Sequence, residues 1–209
     1  LNLLYLFFLA VQLTALFGGE SYLVRAGISY AEYARSGFFQ LVGAAALNLT
    51  VLLCCLAFSP REGRGGRLVR LLSTLLIALS AVLLLSAAWR MTLYVGAYGL
   101  SFKRLLTYWG LVMLALLFAA ALLSIWKTSF SFFRFFFTAA VVGWLVLNFI
   151  NPDYLIARCN VSLSRSNPQI QVDAAYMASL SYDTLPALEE LGREQAESEY
   201  LRQVIEGRR

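Results

Sequence analysis

"GFFQLVGAAALNLTVLLCCLAF", Gly37 to Phe58, contains no charged side chain. As an α-helix it reaches about 33 Å at 1.5 Å per residue, enough to cross a hydrocarbon core of about 30 Å. A soluble protein would have to bury such a helix on every side, and too little polar sequence remains to do it. The chain has 209 residues, 60% of them hydrophobic and only 14% charged, with a mean hydropathy of +0.69. Soluble domains carry about a quarter charged residues, so the deficit points to lipid as the solvent.

Four more segments approach the length of about 20 apolar residues that a span needs. They are Leu1–Phe17, stopped by Gly18-Gly19-Glu20, then Leu71–Trp89, Leu105–Trp126 and Phe135–Ile150. The expected fold is all-α: a polytopic transmembrane helical bundle with about five spans in residues 1–150. Residues 151–209 are expected to form a small amphipathic helical tail outside the bilayer. Charge divides at the same place. Residues 1–150 hold 11 basic and 3 acidic side chains, a balance of +8, and residues 151–209 hold 6 and 9, a balance of −3. Basic residues flanking apolar runs face anionic headgroups. A nucleic-acid partner would require a basic stripe on a soluble surface, and the sequence has none.

The entry to the opening segment is "SYAEYARSGFF", Ser29 to Phe39. Ser29 followed three residues later by Glu32 is a capping box, which starts a helix at Tyr30. Tyr30 and Tyr33 suit the headgroup level, and Arg35 can snorkel before the apolar run. After Phe58 comes "SPREGRGGR", Ser59 to Arg67, whose Pro and three Gly predict a helix-breaking loop. Its arginines suggest a cytoplasmic connection. Counting alternate sides gives six basic residues against five before the tail, so orientation rests on the density of this loop alone.

"WRMTLYVGAYGLSFKR", Trp89 to Arg104, has no breaker before Gly99. The helix is therefore expected to run on, with Arg90, Tyr94 and Tyr98 on one face at four-residue spacing. Gly99 suits a left-handed C-cap and Ser101 an N-cap for the next helix, giving a tight helical hairpin. The preferred reading of the stripe is a snorkelling arginine and an aromatic belt. The sharper one puts Arg90 inside the bundle, paired with an anionic lipid or substrate. In the tail, Asn151 suits a cap and Pro152 the first helical position. Tyr176, Leu180, Leu185, Leu188 and Leu191 are the candidate core of its short helices.

Little in the chain points to catalysis. Histidine is absent, which removes the commonest general base and the Ser-His-Asp triad. Cys54, Cys55 and Cys159 match no zinc spacing and make no disulfide framework. No phosphate-binding loop or nucleophile elbow occurs, and no cofactor or metal is expected. Gln12, Gln40, Asn48 and Asn148 fall within the spans, where such residues commonly hydrogen-bond between helices. Small residues at Gly43–Ala46, Ala119–Ala121, Ala139, Ala140 and Gly143 offer packing seams. Contacts to ligand or lipid are assigned to Glu32, Arg35, Arg90, Tyr94 and Tyr98.

Five phrases, "AVQLTALFGG", "SYAEYARSGFFQLVGAAALNL", "RMTLYVGAYGLSFKR", "NPDYLIARCNV" and "LSYDTLPALEEL", occur in this order over nearly the whole chain. As a set they resemble the C-terminal part of a bacterial multipass membrane family, domain of unknown function 4173, related to the 4153 group. Members of that family are longer, with further apolar segments ahead of this region, which fits a chain beginning at Leu1 rather than Met. The resemblance implies a bacterial inner-membrane protein and carries over no catalytic residue. Three function classes follow. The first is a non-enzymatic signalling, scaffold or envelope-associated component among membrane lipids, with a protein partner at residues 151–209. The second is a transporter or channel subunit. The third is a membrane enzyme acting on lipid or an envelope precursor.

Overall fold

A computed structural model describes residues 30–58, 63–127, 129–166 and 173–194, with residue 203 and residues 205–207. The first expected span, Leu1–Phe17, and Ser29 of the capping box lie outside the described residues. Among the described residues there is no strand. Helix α1 is Tyr30–Phe58, α2 Gly63–Tyr98, α3 Phe102–Trp126 and α4 Phe132–Phe149. Then come α5 (Pro152–Ser166), α6 (Ala174–Ser179), a 3-10 turn (Tyr182–Thr184) and α7 (Leu185–Glu194). Four helices are long and apolar enough to cross a membrane: α1 over Phe38–Phe58, α2, α3 and α4. A helix satisfies its backbone polar groups within its own segment, which is what a hydrocarbon solvent demands.

Of the loop expected at Ser59–Arg67, Ser59–Glu62 lie outside the described residues and the remainder is corrected. Helix α2 begins at Gly63 and takes in Gly65, Gly66 and Arg67. Each helical glycine costs roughly 1 kcal/mol, a small sum beside the cooperative propagation of a helix with 36 residues. At about 54 Å, α2 is longer than the hydrocarbon core is thick. One side carries the exposed residues Arg64, Arg67, Leu68, Leu71, Leu75, Leu85 and Trp89, and the other buries Ile77, Ser80, Leu84, Ala87 and Met91. Helices α3 and α4 also start three residues before their apolar runs suggest, at Phe102 and Phe132. Hydropathy marks where lipid begins, whereas hydrogen bonding carries a helix past it.

The chain divides into two compact units, residues up to Tyr94 with Tyr108–Gly143, and Val95–Thr107 with Trp144–Arg209. In the first unit, Asn48 of α1 is buried and donates from Nδ2 to Ser80 Oγ of α2 at 2.8 Å. Ser80 in turn donates to Leu76 O at 2.8 Å. The expected role of Asn48 between helices holds, while Gln40 is exposed and Asn148 bonds back to Trp144 O of its own helix. Helices α3 and α4 meet where Trp109 Nε1 donates to Gly143 O at 3.2 Å. A Cβ at Gly143 would lie 2.9 Å from Met113 Cε and 3.4 Å from Trp109 Cζ2, so the end of the flexible Met113 side chain packs directly on the glycine. Of the small-residue seams, Ala45, Ala120 and Ala121 are buried, while Ala46, Ala119 and Ala140 are exposed. Gly43 is exposed with open space around it.

The second unit has its own apolar core of Ala157, Val161, Met177, Ala187, Leu188 and Leu191, with Ile205 packed against it. Of the core expected from sequence, Leu188 and Leu191 are fully buried, while Tyr176, Leu180 and Leu185 are half-buried. The missed members are Ala157 and Val161 on α5, whose polar sequence hides a narrow apolar stripe, Met177 on α6 and the small Ala187 on α7. Continuity of α2 through its glycines has a direct test. Open space surrounds the Cβ position of Gly65, so Gly65→Ala is expected to stabilise the folded chain by about 0.5–1 kcal/mol. Reversible denaturation in detergent measures this, and a loss of stability would contradict a helical Gly65.

Candidate functional site

The densest set of long-range polar contacts lies in the second unit, around the turn between α2 and α3. Gly99 adopts φ +74°, the left-handed conformation that ends α2 as the sequence anticipates. Its N–H donates to Val95 O at 2.8 Å. Arg104, in the first turn of α3, donates from one guanidinium nitrogen to Tyr98 O at 2.8 Å and to Gly99 O. A cation thereby satisfies the last carbonyls of α2 and favours its negative end. Ser101 takes the N-cap position of α3, with its carbonyl accepting from Leu105 N at 2.9 Å.

Leu100, between these helix ends, is 7% exposed and cannot rely on water. Asn160 of α5, also 7% exposed, answers both of its backbone groups. Its Oδ1 accepts from Leu100 N at 2.6 Å and its Nδ2 donates to Leu100 O at 2.9 Å. A carboxamide has one acceptor oxygen and a donor NH2 side by side, so it pairs with a peptide group as a neighbouring strand would. The approach is close, since a Cβ on Gly99 would lie 2.8 Å from Asn160 Oδ1. Glycine is therefore required there twice, by its φ and by its lack of a side chain.

Two carboxylates position the flanking groups. Asp173 caps α6 by accepting from Tyr176 N at 2.8 Å. Tyr176 then accepts at its hydroxyl from Phe102 N at 2.9 Å, satisfying an otherwise orphaned amide in the first turn of α3. Asp153, in the first turn of α5, accepts from Ser181 N at 2.9 Å and fixes the segment leading into the 3-10 turn. Thr184 is fully buried and shares its hydroxyl proton between Met177 O and Ser181 O. Asn151, with φ +52°, and Pro152 open α5 as expected, with Asn151 Oδ1 accepting from Tyr154 N at 3.4 Å. Burial pushes the Cys159 thiol up from its ordinary value, which keeps it protonated and unreactive at neutral pH.

The residues singled out from sequence separate in the structure. The side chains of Glu32 and Arg35 lie outside the described residues. Arg90 is 4% exposed, so a snorkelling side chain open to solvent does not describe it. Arg90 is also not a free cation. Tyr94 is half-buried, and Tyr98 is exposed and contributes its carbonyl to Arg104. The stripe thus grades from buried to exposed over two helical turns.

Asn160 was missed by sequence reading, yet a signal for it exists. It shares a helix face with Ile156, Ala157 and Val161, all buried, and a carboxamide on an apolar face needs a polar partner. Three of the five phrases that carry the family resemblance, those containing Gly99, Asn160 and Tyr182, supply this one cluster. The model of a family described as "Domain of unknown function (DUF4153)" matches residues 1–191. No curated protein and no solved structure matches the chain.

The cluster behaves as a unit under substitution. Asn160→Ala strands a buried donor and a buried acceptor on Leu100, and is expected to cost about 2–4 kcal/mol. Tyr176→Phe removes a single acceptor and is expected to cost about 1 kcal/mol. Gly99→Ala combines a strained φ with the collision at Asn160 and is expected to cost at least about 1–3 kcal/mol. Denaturant unfolding of the three variants checks the order, and an Asn160→Ala protein as stable as wild type would refute the pairing.

Proposed function

The chain belongs to the DUF4153 family, and from that premise we propose that it is a non-enzymatic component of the bacterial inner membrane. It serves as a signalling, scaffold or envelope-associated subunit that meets a protein partner through residues 151–209, outside the bilayer. The coarser part is secure: the family match and four span-length apolar helices make this a membrane protein. The observation that carries the finer part is the pairing of Asn160 with Leu100. It spends the polar groups of this region on holding its own shape, which is how a recognition surface is pre-organised. That surface has suitable anchors. Tyr182 on the 3-10 turn is 74% exposed, and Arg158 on α5 is exposed while donating to Tyr154 Oη at 3.2 Å. Tyrosine and arginine are the side chains most enriched at binding hot spots.

A second reading, a transporter or channel subunit, is favoured by the burial of Arg90 within a span-length helix. A buried cation at the interface end of a span focuses field and can draw an anionic solute toward a path. Arg90→Gln lowering solute flux in reconstituted vesicles, with folding intact, would promote this reading over the first.

Deleting residues 151–209 is a poor test of the platform, since it removes Asn160 from Leu100 and disturbs the hairpin. Surface substitutions avoid this. With the full-length chain cross-linked in native membranes, the combined Tyr182→Ala and Arg158→Ala protein is expected to lose at least about tenfold of the captured partner, matching a hot-spot loss above 1 kcal/mol. Recovery of the full wild-type set of cross-linked proteins would contradict the platform.

A further inference from the structure

The described charged side chains of the first unit are Arg64, Arg67, Arg70, Arg90, Lys127 and Arg134, all cations. Glu32 on α1 is the one carboxylate among its described residues. Arg64, Arg67 and Arg70 recur every three residues along the first turns of α2, and Arg64 and Arg67 are exposed. Below them the same face of α2 continues as exposed apolar residues, with Leu68 at 59%, Leu71 at 62% and Leu75 at 40% exposure. The stripe ends at Trp89, which is 58% exposed and about 33 Å from Arg67 along the helix axis. That distance matches the hydrocarbon thickness, so Arg67 and Trp89 fall at opposite interfaces. Arg70 lies over the ring of Trp126 at 5.8 Å, which pins the ends of α2 and α3 at one depth.

We propose that this end of α2 is a binding site for an anionic phospholipid. The lipid phosphate sits between Arg64 and Arg67, with Arg70 and Lys127 adding to the local positive field. One acyl chain runs along the exposed stripe of Leu68, Leu71 and Leu75. The pairing follows from charge and shape together. Exposed cations at one end of a span-length helix attract anionic headgroups, and the apolar stripe directly below them requires hydrocarbon. An anionic phospholipid supplies both in one molecule, at the depth where each is needed. Glu62, just before α2 in sequence, lowers the net charge of the segment by one and leaves it positive. The site is separate from residues 151–209 and does not depend on the reading of the tail as a platform.

The test uses the full-length chain in detergent, titrated with phosphatidylglycerol, phosphatidylcholine or inorganic phosphate and read by native mass spectrometry. Phosphatidylglycerol is expected to bind at least about tenfold more tightly than phosphatidylcholine, and inorganic phosphate to leave it bound. Arg64→Gln and Arg67→Gln are each expected to weaken phosphatidylglycerol about fivefold, in line with the attraction of one basic side chain to an anionic surface. Both side chains are exposed, so unchanged melting in phosphatidylcholine confirms intact folding. Leu71→Gln provides a second probe, weakening phospholipid through the acyl contact while leaving the cations in place. Equal affinity for the two lipids, displacement by phosphate, or arginine variants that bind like wild type would each overturn the proposal.

Discussion

A buried peptide group with no access to water must find protein partners, and Leu100 finds both of its partners in one side chain. The carboxamide of Asn160 closes on that peptide from a helix 60 residues further along the chain. Around this contact the remaining features of the second unit fall into place. Gly99 must be glycine because Asn160 comes so near, and Arg104 must cap α2 because the turn is too tight to continue it. Tyr176 reaches Phe102 because Asp173 fixes the start of α6. The ion pair of Arg165 with Glu190, at 2.6 Å but with both side chains near half exposed, adds little by comparison.

Lipid imposes a different logic on the first unit. Hydrophobic association does not drive helices together where the solvent is itself apolar, so close approach and isolated hydrogen bonds take over. Gly143 against Met113 and Trp109 is the first kind of contact, and Asn48 with Ser80 the second. Asn48 Oδ1 is left without a hydrogen-bond partner. Such a group tightens specificity between α1 and α2 more than it stabilises them, because its own desolvation offsets part of the bond.

Much of this architecture is legible in the sequence. Uncharged Gly37–Phe58 announces a span, Gly99 a helix end, and Asn151-Pro152 a helix start, each through local chemistry that neighbours cannot override. Gly65 and Gly66 misled because their cost is local while helix propagation is cooperative, whereas Gly63, at φ +79°, marks the break itself. Asn160 was invisible for the opposite reason. Its meaning lies in Leu100, and no local rule connects two residues so far apart. Arg90 shows the same gap: its spacing to Tyr94 and Tyr98 gave a face, but only packing reveals that the face is buried at one end and open at the other.

Hydrogen exchange at the Leu100 amide, followed in the full-length chain in lipid nanodiscs, tests the central contact most directly. If Asn160 holds the turn and the second unit opens as one cooperative body, Leu100 N–H exchanges as slowly as the core amides of Met177 and Leu188, and all three speed up together in Asn160→Ala. A Leu100 amide exchanging at the rate of an open turn, while Met177 and Leu188 stay protected, would contradict it.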